Sequence, residues 1–223
     1  MRREVVAVAV ASALLVGSCA PDEVATDIAT QVEPAVVRLL GDVCGVPLLA
    51  SGVVIQDGVV VTVAHVIAGS RGDIAVRFPS GSEAAATVVG FDPKRDLALL
   101  SVDGVTAPVS LGTAEAGSAG RIVTMSRDDD IVVTPYEVRR FINATGEDIY
   151  GERTGVARSA IELETDVMPG MSGGGAFDDD GKLVGVVFAE SRGQPIAYAV
   201  AAGEVEQFMA ETDLASTVEA GHC

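Results

Sequence analysis

Positive charge is what this 223-residue chain has least of: 15 Lys and Arg face 32 Asp and Glu, for a formal charge of -17. Proteins that bind nucleic acid neutralise phosphates with clustered cations, so a nucleic-acid partner is excluded and the acids read as a solvated surface. Long hydrophobic runs are also scarce. The longest, Val5 to Gly17, is thirteen residues behind Arg2-Arg3, whereas a membrane-spanning helix needs about 20 and a signal-peptide core about 7 to 15. Sustained helical periodicity is missing until the end of the chain, which removes the all-α classes. The acidic runs Asp128 to Asp130 and Asp178 to Lys182 lack the alternating oxygen spacing of a calcium loop, so no metal is expected there. Neither is a cofactor.

What fills the chain from Pro34 onward is short β-branched segments punctuated by Gly, Asp, Pro and Ser, the pattern of a sandwich or barrel. Six candidate strands lie at 36–40, 52–56, 59–63, 74–78, 85–91 and 98–102, and six more at 121–125, 131–143, 159–165, 174–177, 183–189 and 196–200. Asp57-Gly58 and Asp180-Gly181 sit where tight hairpin turns demand positive φ. The expectation is an all-β fold of two six-stranded antiparallel β-barrels, the first over 34–103 and the second over 120–202, joined by a Gly, Ala, Pro and Ser-rich linker. A closing helix over 203–213 follows, with Val205, Phe208 and Met209 on one face. Residues 144–158 read as a long exposed loop.

The most informative motif is PGMSGGGAF, in which Ser172 is flanked by glycines between strand-like segments. Serine is a poor nucleophile unless a base activates it and a third group orients the base. Only two histidines exist, and His222 is one residue from the end, so His65 in VVVTVAHVIAG is the candidate base. Asp96, opening the apolar run of FDPKRDLALL, is the candidate orienting acid. Taken singly, each has a bland reading: a structural histidine, a turn aspartate, a flexible glycine loop. Together, in the order His, Asp, Ser, they point to nucleophilic hydrolysis, and an esterase of the α/β-hydrolase fold is disfavoured because that fold runs Ser, acid, His.

These three contexts, with the phrases SGVVI and VVTVAHVI, resemble the chymotrypsin-like (trypsin-fold) serine peptidases, in particular the bacterial Deg/high-temperature-requirement type and the actinobacterial membrane-anchored acid-resistance type. The resemblance covers about residues 34–210 and implies catalytic His65, Asp96 and Ser172, an oxyanion hole from the backbone N–H groups of Gly170 and Ser172, and protein or peptide substrates. It places Asp166, Phe188, Ala189, Glu190 and Ala197 around the specificity pocket. Asp166 falls where trypsins keep an acid for basic substrates, but Phe188 and Ala189 as apolar walls favour a small or medium apolar residue before the cut. Met171 and Gly175 depart from the usual Asp or Asn and Pro. The rival function is a peptide-binding or chaperone-like module that has kept the barrels.

Val16-Gly17-Ser18-Cys19 resembles a bacterial lipobox, with residues 1–18 as signal peptide, Cys19 lipidated and 19–33 a tether; the alternative is a plain signal peptide or an uncleaved anchor. Either route leads out of the cytoplasm, with the outer face of the cytoplasmic membrane or secretion as destination, and a monomer is expected. Cys44 and Cys223 remain as an even pair in an exported chain, where disulfides persist, so they are expected to bond to each other, with free or intermolecular thiols as the alternative. With the closing helix placed directly after Val200, the peptide-binding module common in the Deg type is not expected in this sequence.

Overall fold

Runs such as Val53–Ile55 and Leu97–Leu100 are apolar without interruption because they are buried on both faces. The structure, a computed structural model, describes residues 28–70, 73–166 and 170–223. The leader, Cys19 and residues 19–27 of the tether lie outside the described residues. Residues 28–32 are helical and run through a 3-10 turn, Glu33–Ala35, into the first barrel.

In chain order the first half contains β1 (Val36–Leu40), β2 (Asp42–Val43), β3 (Val46–Pro47), β4 (Ala50–Gln56), β5 (Val59–Thr62), helix α1 (Ala64–Ile67), β6 (Ile74–Arg77), β7 (Glu83–Asp92) and β8 (Leu97–Val102). Six of these strands close an antiparallel barrel in the order β1-β4-β5-β8-β7-β6, while β2 and β3 form a small separate hairpin. The second half contains β9 (Ala119–Met125), β10 (Ile131–Glu147), β11 (Arg153–Glu164), β12 (Gly175–Phe177), β13 (Leu183–Glu190), β14 (Ile196–Ala201) and helix α2 (Ala202–Glu211). Its strands close a second barrel in the order β10-β11-β14-β13-β12-β9. The fold is therefore the two six-stranded antiparallel barrels and closing helix read from the sequence.

Strand periodicity of two explains the three cores. On β4, β5 and β8, Val54, Val60, Ala98 and Leu100 point into barrel 1. Their neighbours Val53, Val61, Leu97 and Leu99 point the other way, into a cluster shared with Val123, Met125, Phe177, Leu183 and Val200 of barrel 2 and with Val205 and Phe208 of α2. Ile122, Val138, Ile161 and Leu163 belong to the interior of barrel 2. The shared cluster joins the barrels.

One expectation is corrected. Residues 144–158 are not one long loop: β10 and β11 extend the hairpin through Ala144↔Arg158, Thr145↔Ala157 and Glu147↔Arg153, leaving only 148–152 as its tip. A ribbon that buries neither face needs no apolar alternation, so its strands carried no sequence signal.

The C-terminal tail returns to barrel 1. Val218 N–H donates to Val88 C=O (2.9 Å), Gly69 N–H donates to Ala220 C=O (2.8 Å), and the His222 ring stacks on Tyr150 of the hairpin tip at 4.1 Å. Cys223 is disulfide-bonded to Cys44, 179 residues away in sequence. Both sulfurs lie against Gly69, whose φ of +77° and missing Cβ make room for them. Since Gly69 closely follows α1, the bridge buttresses the helix that carries His65.

By chain entropy a loop of this length is worth about 5 kcal/mol, with about 2–4 typical of measured bridges. Cys44→Ser should therefore lower the melting temperature of the oxidised chain by roughly 5–15 °C, taking about 2–4 °C per kcal/mol. An unchanged melting curve would show that the tail adds no stability.

Candidate active site

Ser172 sits at the corner of a tight turn. Gly174 N–H donates to Met171 C=O (2.9 Å), closing a four-residue turn with Gly173 at φ +80°, the position where a type II turn requires a glycine. Three further bonds fix the turn. Gly173 N–H donates to Val187 C=O (2.8 Å), Val187 N–H donates to Gly174 C=O (2.9 Å), and Ser51 N–H of barrel 1 donates to Ser172 C=O (3.0 Å). Met171 is buried in the barrel 2 core. Gly170 adopts φ +92° with open space where a Cβ would be, a conformation that glycine adopts at little cost.

Ser51 makes two more bonds at this joint: its C=O accepts from Thr62 Oγ1 (2.8 Å) and its Oγ accepts from Met125 N–H of β9 (3.1 Å). The fit is close enough that a Cβ on Gly173 would run into Ser51 C=O and Thr62 Oγ1.

His65 lies on α1, directly after β5. Its Nδ1 is 2.8 Å from Oδ2 and 3.1 Å from Oδ1 of Asp96, and its backbone N–H donates to Asp96 Oδ1 (2.9 Å). One carboxylate therefore fixes both the helix start and the ring. With Nδ1–H donating to the carboxylate, Nε2 is left as the proton acceptor. The Asp96 side chain is 5% exposed and that of His65 36%, so the acid is shielded while the imidazole reaches solvent.

Asp96 is held at φ +58°, a left-handed backbone that Asp tolerates better than most residues. The turn before it is built by Asp92, whose Oδ1 accepts from the N–H groups of Lys94 (2.9 Å) and Arg95 (3.0 Å). Arg95 then ties this turn to the far side of the joint, pairing with Asp92 (2.9 Å) and with Glu204 (3.2 Å) and Glu211 (2.8 Å) of α2. Burial works to lower the Arg95 pKa, but the carboxylates of Glu211 and Asp92 raise it overall. Glu204 Oε1 also accepts from Ser159 N–H of β11 (2.8 Å).

Of the other residues assigned to the pocket, Phe188, Ala189 and Glu190 follow Val187 along β13, and Ala197 faces Glu190 across the β13–β14 pair. Ala197 is buried, while Glu190 and Asp166 are exposed. Phe188 packs against the shared cluster and carries the guanidinium of Arg158 over its ring, 4.4 Å from the centroid. No group of three or more His, Cys, Asp or Glu able to hold a metal ion occurs among the described residues. A depression of about 630 Å³ lined by Glu33, Phe78 and Val105 lies on barrel 1 and includes none of these residues.

Residues 50–186 match the trypsin-like peptidase domain family. The chain belongs to that family. It is 33% identical over 214 residues to the serine protease Rv3671c of Mycobacterium tuberculosis, a match covering 93% of this chain and 53% of that protein. The crystal structure of the active form of the Rv3671c protease superposes with a TM-score of 0.85 at 29% identity, covering 98% of this chain and 99% of that one. A probable periplasmic serine endoprotease, DegP-like, from Pseudomonas putida is 35% identical over 150 residues, 65% of this chain and 30% of its own length. The chain thus spans about half of the first relative and a third of the second. The trypsin-like fold explains why the two strand sets close separately and why the candidate residues straddle the joint. Ser51, Arg95 and Arg158 escaped the sequence reading because their roles rest on contacts between segments far apart in the chain; only the phrase SGVVI pointed near one of them.

The joint generates a test away from the reacting groups. Gly173→Ala puts a Cβ both in a left-handed backbone and against the Ser51 carbonyl, so it should cost at least about 2 kcal/mol in urea unfolding. A variant as stable as the native chain would show that the barrels are free to move apart at this contact.

Proposed function

We propose that the chain is an exported serine endopeptidase in which Ser172 is the nucleophile, His65 the general base and Asp96 the group that orients the base. The observation that carries this is the buried Asp96 carboxylate holding His65 Nδ1 at 2.8 Å, with the ring's other nitrogen left to accept a proton. A structural histidine has no need of a shielded carboxylate bonded to both its ring and its backbone. For the same reason a peptide-binding or chaperone-like module is the weaker reading.

Ser172 Oγ attacks the scissile carbonyl as His65 Nε2 takes its proton, and the carbonyl oxygen becomes an oxyanion that accepts from the N–H groups of Gly170 and Ser172. One such donor is typically worth about 10² to 10³ in rate. Collapse of the intermediate breaks the C–N bond while the imidazolium returns its proton to the leaving amine. Water then attacks the acyl-enzyme with His65 again as base. Asp96 holds the ring in place and stabilises the imidazolium. The chemistry calls for no cofactor or metal, and the substrates are proteins or peptides. The specificity pocket is formed around Asp166, Phe188, Ala189, Glu190 and Ala197, with an apolar residue preferred before the cut. Processing or quality control of cell-envelope proteins, by a monomer, is the role this supports.

The full chain should hydrolyse casein, and Ser172→Ala or His65→Ala should each lower turnover by at least about 10³-fold with the melting temperature preserved. Activity retained in folded Ser172→Ala would contradict the mechanism.

Export follows from the leader-like segment, and anchoring from Val16-Gly17-Ser18-Cys19. Expressed in a bacterial host, the full chain should incorporate labelled fatty acid and partition into detergent, and Cys19→Ala should abolish the label. A soluble, unlabelled product would remove the lipid anchor.

A further inference from the structure

Six of the ten arginines among the described residues, Arg38, Arg77, Arg95, Arg139, Arg140 and Arg153, each reach a carboxylate. Of the four that do not, only Arg158 on β11 both covers an aromatic ring and leaves a buried nitrogen unbonded. It is half-buried, yet among the described residues no carboxylate lies within ion-pair distance of it. Its Nη1 donates to Lys94 C=O (3.0 Å), its guanidinium covers the Phe188 ring, and its Nε is buried without a hydrogen-bond partner. Burial pulls its pKa below the usual arginine value, against the charges of Asp96, Asp92 and Glu204, which act on it from beyond contact. With 32 acids in the chain, a partly desolvated cation left without a carboxylate is unusual, because burying charge is costly unless it is paired.

Its position gives the vacancy a use. Lys94 is two residues before Asp96, and Phe188 follows Val187, which accepts from Gly173 N–H and donates to Gly174 C=O of the serine turn. Arg158 therefore bridges the turn that carries Asp96 on barrel 1 and the strand beside the serine turn on barrel 2. A substrate laid as an extended strand along β13 beyond Val187 advances about 3.3 Å per residue. This brings side chains a few residues from the scissile bond past the guanidinium. The planar group, already fixed on Phe188 and Lys94, loses little freedom on accepting a carboxylate.

We propose that Arg158 is a specificity-determining residue that selects substrates with an acidic side chain two to four residues before the scissile bond. The inference rests on the peptidase reading and deepens it. The chain's overall -17 charge repels acidic substrates only weakly at a distance, because physiological salt screens charges beyond about 8 Å. The local cation therefore decides.

The test uses the full chain and peptides that differ only in Glu or Gln at the second, third or fourth residue before the cut. At one of these positions kcat/KM should favour Glu by at least about 10-fold, a size suited to a charge-assisted contact. Arg158→Gln should erase that preference through KM for the Glu peptide while leaving the Gln peptide within about 3-fold, and Arg158→Lys, which keeps the charge, should retain part of it. Equal rates for Glu and Gln peptides in the native chain would overturn the inference, as would an equal fall on both peptides in Arg158→Gln, the mark of mere support for the Asp96 turn. Should Arg158→Gln fail to fold, the native comparison and Arg158→Lys decide between the same outcomes. Failure to cut any peptide, or casein, would instead remove the peptidase reading, and this inference with it.

Discussion

The contact on which the rest depends is the one between Ser51 and the turn at Ser172 and Gly173. All three polar groups of Ser51 are engaged there: N–H with Ser172 C=O, C=O with Thr62, and Oγ with Met125 N–H. The bonds to Ser172 and Met125 cross from one barrel to the other, and the one to Thr62 holds Ser51 in place, at a gap that a single Cβ on Gly173 would close. Buried polar groups are costly to leave unpaired, so this joint has one satisfactory register. His65 and Asp96 are built on barrel 1 and Ser172 on barrel 2, so the distance between the proposed base and the proposed nucleophile is set by that register. A displacement near 1 Å can cost about 10²-fold in rate.

Charge reinforces the joint at its edges. Arg95 ties the Asp96 turn to α2, and Glu204 passes the restraint on to β11 through Ser159 N–H. On another side buried Arg38 of β1 reaches across to the turn after β9, where it donates to Ser126 C=O and Arg127 C=O and pairs with Asp129. These are single-point links around a continuous apolar cluster. The cluster supplies the association of the barrels, while the polar contacts select one arrangement of them.

Much of this was legible in the chain. Strands buried on one or both faces announce themselves by β-branched alternation or unbroken apolar runs, which is why the twelve barrel strands and the apolar face of α2 could be read directly. Val205 and Phe208 are buried as their spacing implied. The candidate triad was legible because two histidines, one of them next to the terminus, leave little choice. The extension of β10 and β11 was not, since an exposed ribbon has no hydrophobic period. The four-residue helix under His65 is too short to carry one either. Arg158 was invisible for a different reason: its environment is made by Lys94 and Phe188, and nothing in the run RSAIELE reports on them.

The central claim is that this joint presents an activated serine to a prepared base, and fluorophosphonate labelling of the full chain, mapped by mass spectrometry, tests it most directly. Only a serine whose proton has somewhere to go reacts readily with this probe. The account predicts a single adduct on Ser172 that disappears in His65→Ala and forms far more slowly in Asp96→Asn. No adduct in the native chain, or one that forms at the same rate without His65, would contradict it.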